Sequence, residues 1–137
     1  MAGYSGTPLP KKLGIRPGDT VVFATAPPDF AETLGPLPDG VRVKARLSGK
    51  ADVVVAFVES RARLEGRLET LMRVIYPDGG LWVAWPTRAS GVETDITEDV
   101  VRELAVAAGL VDNKVCAIDA TWSGLRLVYR LRDRPKR

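Results

Sequence analysis

Residues 51–86 read ADVVVAFVESRARLEGRLETLMRVIYPDGGLWVAWP, two short apolar runs on either side of an amphipathic segment. Val53 to Val58 and Leu81 to Trp85 are short runs with almost no polar interruption. Strands that alternate so little are buried on both faces, as in a parallel sheet with helices on either side. Between the runs, Leu64, Leu68, Leu71, Met72 and Ile75 recur at helical spacing behind Ser60, a residue suited to cap a helix. Pro77-Asp78-Gly79-Gly80 then turns the chain. The expectation is one strand, crossover helix, strand unit. Arg61 with Glu65 and Glu69 with Arg73 stand four residues apart on the wet side of that helix, each pair worth about 0.2–0.5 kcal/mol. Gly66 costs the helix about 1 kcal/mol against alanine, and a close approach of helix to sheet is the expected reason for it.

Upstream, Tyr4 to Gly18 is dense in glycine and proline and reads as an irregular arm over residues 1–18, with one helical turn around Pro10 to Leu13 that packs over one sheet face. Thr20 to Ala24 reads as a central strand. The prolines of Thr25-Ala26-Pro27-Pro28-Asp29 end its pairing, and a helix no longer than Asp29 to Leu34 follows. Val41 to Leu47 alternates strictly, with Arg42, Lys44 and Arg46 on one face, as a charged edge strand does.

Downstream, Thr87 to Asp95 reads as a loop and Thr97 to Ala108 as a helix with Val100, Val101, Leu104 and Ala108 inward, ended by Gly109. A hairpin of about Lys114 to Ala120 and Leu125 to Leu131 follows, turning at Trp122-Ser123-Gly124, and residues 132–137 form a basic tail. The count is about six strands, three or four of them parallel. The whole, residues 1–137, is expected as one compact Rossmann-like open α/β sheet, mostly parallel, with a C-terminal antiparallel hairpin.

Composition excludes several chemistries. The chain has no histidine and one cysteine, so zinc fingers, catalytic zinc and Ser-His or Cys-His sites are absent in their usual forms, and no intrachain disulfide can form. Cys116, between Val115 and Ala117, reads as a buried, inert thiol. Asp95, Glu98 and Asp99 read as the acidic first turn of a helix rather than as metal ligands. No apolar run reaches the roughly 20 residues that span a bilayer, and residues 1–6 show no basic-then-apolar leader. The expectation is a cytoplasmic protein without a membrane partner.

Residues 51–86, followed by a helix and a hairpin, resemble the second half of a class I methyltransferase that uses S-adenosylmethionine. That family places a glycine-rich turn after its first strand and an acidic residue after its second. Here Thr25-Ala26-Pro27-Pro28-Asp29 and Ser48-Gly49 stand in those places. Nearly the whole chain, through Tyr4-Ser5-Gly6-Thr7-Pro8-Leu9, Lys11-Lys12-Leu13-Gly14-Ile15, Gly79-Gly80-Leu81-Trp82-Val83 and Trp122-Ser123-Gly124-Leu125, is similar to a family of small bacterial proteins known only as a domain of unknown function. That resemblance implies the fold and no catalytic residues.

Ligands of open α/β sheets sit beyond the carboxyl ends of the strands, where strand order reverses. Those ends are expected to present Thr25, Asp29, Glu59, Ser60, Trp85 and Thr87 as ligand-binding residues, each with a plainer role: Asp29 and Ser60 as helix caps, Trp85 as cover over the sheet edge, Glu59 as a solvated charge. The leading expectation is a non-catalytic binding module that holds no cofactor and works through a protein or small-molecule partner. The alternative is a small enzyme taking S-adenosylmethionine or a nucleotide at the strand ends. A third reading, weak nucleic-acid binding by Arg42, Lys44 and Arg46, is disfavoured because no aromatic residue interleaves that stripe. An open sheet edge leaves room for a homodimer.

Overall fold

The computed structural model describes residues 6–135. Its elements run α1 (Leu9–Lys12), β1 (Thr20–Ala24), α2 (Phe30–Leu34), β2 (Arg42–Lys44), β3 (Val53–Phe57), α3 (Arg61–Ile75), β4 (Gly80–Pro86), α4 (Glu98–Ala108), β5 (Leu110–Ala117) and β6 (Trp122–Tyr129). The sheet order is β2-β1-β3-β4-β6-β5. The first four of these strands are mutually parallel, while β6 runs antiparallel to β4 and β5 to β6. It is an open, mostly parallel α/β sheet that ends in an antiparallel pair.

Strands β3 and β4 are buried at every position, so each face of the sheet needs a cover. On one face Val54, Ala56, Leu81 and Val83 pack with Leu64, Leu71 and Ile75 of α3 and with Val101 and Ala105 of α4. On the other face Val53, Val55, Phe57 and Trp82 meet Leu9, Leu13 and Ile15 of the arm and Phe30 and Leu34 of α2. The arm is held there by a buried hydrogen bond in which the Trp82 indole Nε1 donates to the Leu13 carbonyl at 2.9 Å. Ser60 Oγ accepts from the Arg63 amide to cap α3, Thr97 Oγ1 accepts from Val100 to cap α4, and Gly109 ends α4 in the left-handed conformation at φ 108°. Arg102 then ties α4 to β5 by donating to Glu98, Asp99 and Asp112.

Several local features differ from the sequence expectation. The edge strand is three residues long, not Val41 to Leu47, and Val43 is 54% exposed. Beyond it the Lys44 ammonium turns back to the carbonyls of Ser48 and Lys50, and the chain leaves the sheet. In α4, Ala105 is inward while Ala108 is exposed. The hairpin turns at residues 118–121, where the Asp119 carboxylate accepts from the Thr121 and Trp122 amides at 2.8 Å each, so Trp122-Ser123-Gly124 lies within β6. A side chain at Gly124 would be tight in that strand, since a Cβ there would sit 3.1 Å from the Trp82 ring and 3.2 Å from Ile118. Finally, Gly66 faces open space, so no close helix-to-sheet approach explains it.

Gly79 and Gly66 are therefore opposite cases. A Cβ at Gly79 would lie 2.7 Å from the Ala51 carbonyl oxygen and 3.0 Å from that of Ile75, backbone atoms that cannot rotate away. Gly79→Ala is expected to destabilise the protein by about 2 kcal/mol or more. Gly66→Ala is expected to stabilise it by about 1 kcal/mol. Urea unfolding of the two variants beside the parent checks both signs. Cys116 is partly exposed rather than buried, but burial pushes its thiol pKa up against the opposing charges of Lys12 and Lys114. Iodoacetamide at pH 8 is expected to alkylate Cys116 several-fold more slowly in the folded protein than in the urea-unfolded chain, because less thiolate is present.

Candidate functional site

The strand order reverses at β1, which has β2 on one side and β3 on the other. A cleft of about 410 Å³ opens over the carboxyl ends of β1 and β3, lined by Thr25, Ala26, Pro27, Pro28, Phe57, Val58, Glu59, Arg63, Arg67 and Trp122. Its position is the one at which open α/β sheets bind ligands, and its size is that of a small-molecule site.

Thr25 is the local anomaly. Its φ of 53° is the sole positive value at a non-glycine position among the described residues, and β-branched side chains rarely adopt such a value. The conformation is held by its own hydroxyl. Oγ1 lies 2.6 Å from the carbonyl oxygens of both Ala24 and Phe57, either of which can take its proton, and it accepts from Arg67 Nη1 at 3.2 Å. Thr25 thus turns the chain sharply out of β1 while fastening β1 to β3 and to α3. Pro27 and Pro28 follow on the cleft wall and bring no amide donors.

The wall opposite belongs to α3. Arg63 and Arg67 stand one helical turn apart and both line the cleft, and neither pairs with a carboxylate among the described residues. Like charges at this spacing destabilise a helix by a few tenths of a kcal/mol, and that conflict was the sequence signal for them, overlooked beside the favourable pairs of Arg61 and Arg73. Glu59 lines the same cleft with an exposed side chain. Its backbone is pinned by Thr94, whose Oγ1 donates to the Glu59 carbonyl at 2.6 Å. Asp95 is likewise occupied, accepting from the first amide of α3 at Arg61 rather than starting α4. Phe57 and Trp122 form an edge-to-face pair, centroids 5.1 Å apart, at the base of the cleft.

The expected site residues separate. Thr25 and Glu59 meet in the cleft. Asp29 is exposed beside it at the start of α2, with no side-chain capping bond. Ser60 is spent as the α3 cap. Trp85 is 6% exposed and packs in the α3–α4 core, neither open to a ligand nor covering an edge. Thr87 starts the single 3₁₀ turn after β4, its hydroxyl buried without a partner among the described residues. The charged stripe of the edge strand does not present three free cations, since Lys44 is engaged with backbone carbonyls. No cluster of metal-ligating side chains occurs among the described residues, and none of their helices is long and apolar enough to cross a membrane. A second cleft, of about 480 Å³, lies at the other end of the sheet between Met72, Tyr76 and Tyr129. Its charges are satisfied internally: Arg73 pairs with Glu69, and the Lys50 ammonium lies 5.3 Å from the Tyr76 ring centroid.

No protein-family model and no curated protein matches the chain. Solved structures do. DhpI in complex with SAH superposes with a TM-score of 0.62 at 14% identity over 91% of this chain and 83% of that one. Magnesium protoporphyrin IX methyltransferase (ChlM) from Synechocystis PCC 6803 with bound SAM gives 0.57 at 10% identity, over 89% and 74%. The Methanococcus jannaschii fibrillarin pre-rRNA processing protein gives 0.57 at 11%, over 93% and 70%. At these identities the likeness is one of fold. The chain has the methyltransferase-like Rossmann fold.

Proposed function

We propose that this chain binds S-adenosylmethionine or a closely related adenosine derivative in the cleft at the carboxyl ends of β1 and β3. The observation that carries the reading is the coincidence of the cleft with the reversal of strand order. The donor set suits such a ligand. Glu59 offers the carboxylate that ribose hydroxyls require, Arg63 and Arg67 offer guanidinium groups to a carboxylate, and Phe57 and Trp122 supply an aromatic base. Binding here rests on side chains, because Pro27 and Pro28 remove the amides that a glycine-rich loop supplies.

A sulfonium methyl donor, when bound, supplies both the electrophilic carbon and the leaving group. The residues around it need only align an acceptor and limit water, so the lack of histidine does not weigh against transfer. A second reading, a binding module without chemistry, is favoured by one feature of the wall: Glu59 is its only carboxylate among the described residues. Both readings share the ligand site, and both treat residues 1–137 as one unit. Either open edge, β2 or β5, is where a second copy would pair.

Thermal denaturation with SAM and SAH tests the binding common to both. A ligand at 100 times its dissociation constant adds about 2.7 kcal/mol, a rise of several degrees for this size. Arg67→Met is expected to reduce that rise strongly while lowering the ligand-free midpoint by only a few degrees, the loss of the one hydrogen bond it donates to Thr25. A parent midpoint unmoved by millimolar SAM and SAH overturns the proposal.

A further inference from the structure

The cleft over the carboxyl ends of β1 and β3 is lined by one carboxylate and two guanidinium groups, Glu59 at the end of β3 and Arg63 and Arg67 on α3. The Arg63 amide donates to the Ser60 cap, but its guanidinium forms no hydrogen bond or ion pair among the described residues. Arg67 is aimed by Thr25. Its Nη1 donates to Thr25 Oγ1 at 3.2 Å, and that hydroxyl is fixed in turn between the carbonyls of Ala24 and Phe57. The Nε and Nη2 donors of Arg67 are left for a ligand. The surrounding carboxylates do not answer this pair. Glu65 pairs with Arg61, Asp95 accepts from the Arg61 amide, and Asp119 accepts from the Thr121 and Trp122 amides. Asp29, Glu32 and Glu93 are exposed outside the cleft lining, and neither they nor Glu59 come within ion-pair distance of either arginine.

Two guanidinium groups one helical turn apart repel each other, and an anion placed between them replaces that repulsion with two attractions. The chemistry of the anion follows from the number of forks. A carboxylate carries one negative charge and fits one guanidinium fork; a phosphate monoester carries up to two and has oxygens enough to face both. S-adenosylmethionine, with two positive groups and one carboxylate, brings net positive charge to a wall that already has it in excess. Phe57, Trp122 and Glu59, the partners for a base and a ribose, line the same cleft. We propose that the preferred ligand of the cleft is a phosphate-bearing adenosine derivative, with Arg63 and Arg67 as its phosphate-binding residues. The inference rests on the cleft being an adenosine site, and it adds the group that selects among adenosine ligands.

Titration calorimetry at constant ionic strength, with adenosine, adenosine 5′-monophosphate and inorganic phosphate as probes, isolates the contribution of the phosphate. The monophosphate is expected to bind about tenfold or more tightly than adenosine, the return on charge-assisted hydrogen bonds to two arginines. Inorganic phosphate alone is expected to bind more weakly than the monophosphate. Arg63→Gln, whose guanidinium holds no bond to lose, is expected to bring the monophosphate close to adenosine and to leave adenosine binding as in the parent. Arg73→Gln loses the same charge from an exposed pair with Glu69 and is expected to keep the full preference. The proposal is overturned if the monophosphate binds no more tightly than adenosine, if inorganic phosphate binds as tightly as the monophosphate, or if Arg63→Gln keeps the preference. It is equally overturned if Arg73→Gln erodes the preference as much as Arg63→Gln does, since net charge would then be the cause. Arg63-dependent binding of the monophosphate with no response to SAM or SAH upholds the phosphate site and overturns the methyl-donor assignment; adenosine, SAM and SAH binding with no gain from phosphate does the reverse.

Discussion

The hydrogen bond from the Trp82 indole to the Leu13 carbonyl joins the centre of the sheet to its thinnest cover. Trp82 is fully buried on β4, and an indole N–H left unpaired there would cost about 1–3 kcal/mol. Its partner is not a helix of ordinary length. The face that Trp82 belongs to is closed by an arm with one helical turn and by the five-residue α2. Leu9, Leu13 and Ile15 are buried there only because the chain is brought down onto the sheet at Leu13. Gly124 extends the same constraint to the neighbouring strand, since the Trp82 ring occupies the space a side chain would need.

The thin cover shapes the cleft end of the sheet. Between β1 and β2 the chain has only α2, so no long helix begins immediately beyond β1 to present its amides to a ligand. The first turn is made instead by Thr25 in a conformation usually left to glycine, and its hydroxyl substitutes a side-chain bond to β3 for backbone freedom. Polar groups at the cleft then come from α3, whose length and cap fix Arg63 and Arg67 one turn apart. A five-residue α2 after β1 and a fifteen-residue α3 after β3 thus leave the polar groups at the cleft to side chains rather than to backbone amides.

The parts legible in the sequence were those governed by local rules. Helical spacing with Ser60 ahead of it marked α3, Thr97 and Gly109 bracketed α4, and the unbroken apolar runs marked β3 and β4. What escaped was set by contacts between distant residues. Trp122-Ser123-Gly124 has turn-like composition, yet Gly124 serves a tryptophan on another strand while Asp119 makes the turn. The alternation of Val41 to Leu47 implied a strand with a covered face, but Val43 is exposed. At the site, strand ends located Thr25 and Glu59, whereas Arg63 and Arg67 required knowing which side of α3 faces the loop after β1.

The modest net charge of +3 conceals an uneven arrangement. Arg61, Arg73, Arg102 and Arg130 each meet a carboxylate within an ion-pair distance. These pairs are mostly exposed and contribute little to stability individually. Arg63 and Arg67 at one end of the sheet, and Arg16 and Arg126 at the other, have no such partner among the described residues. Evenly mixed surface charge would serve solubility alone. Arg63 and Arg67, one helical turn apart on one wall of the cleft, instead add their fields over its opening.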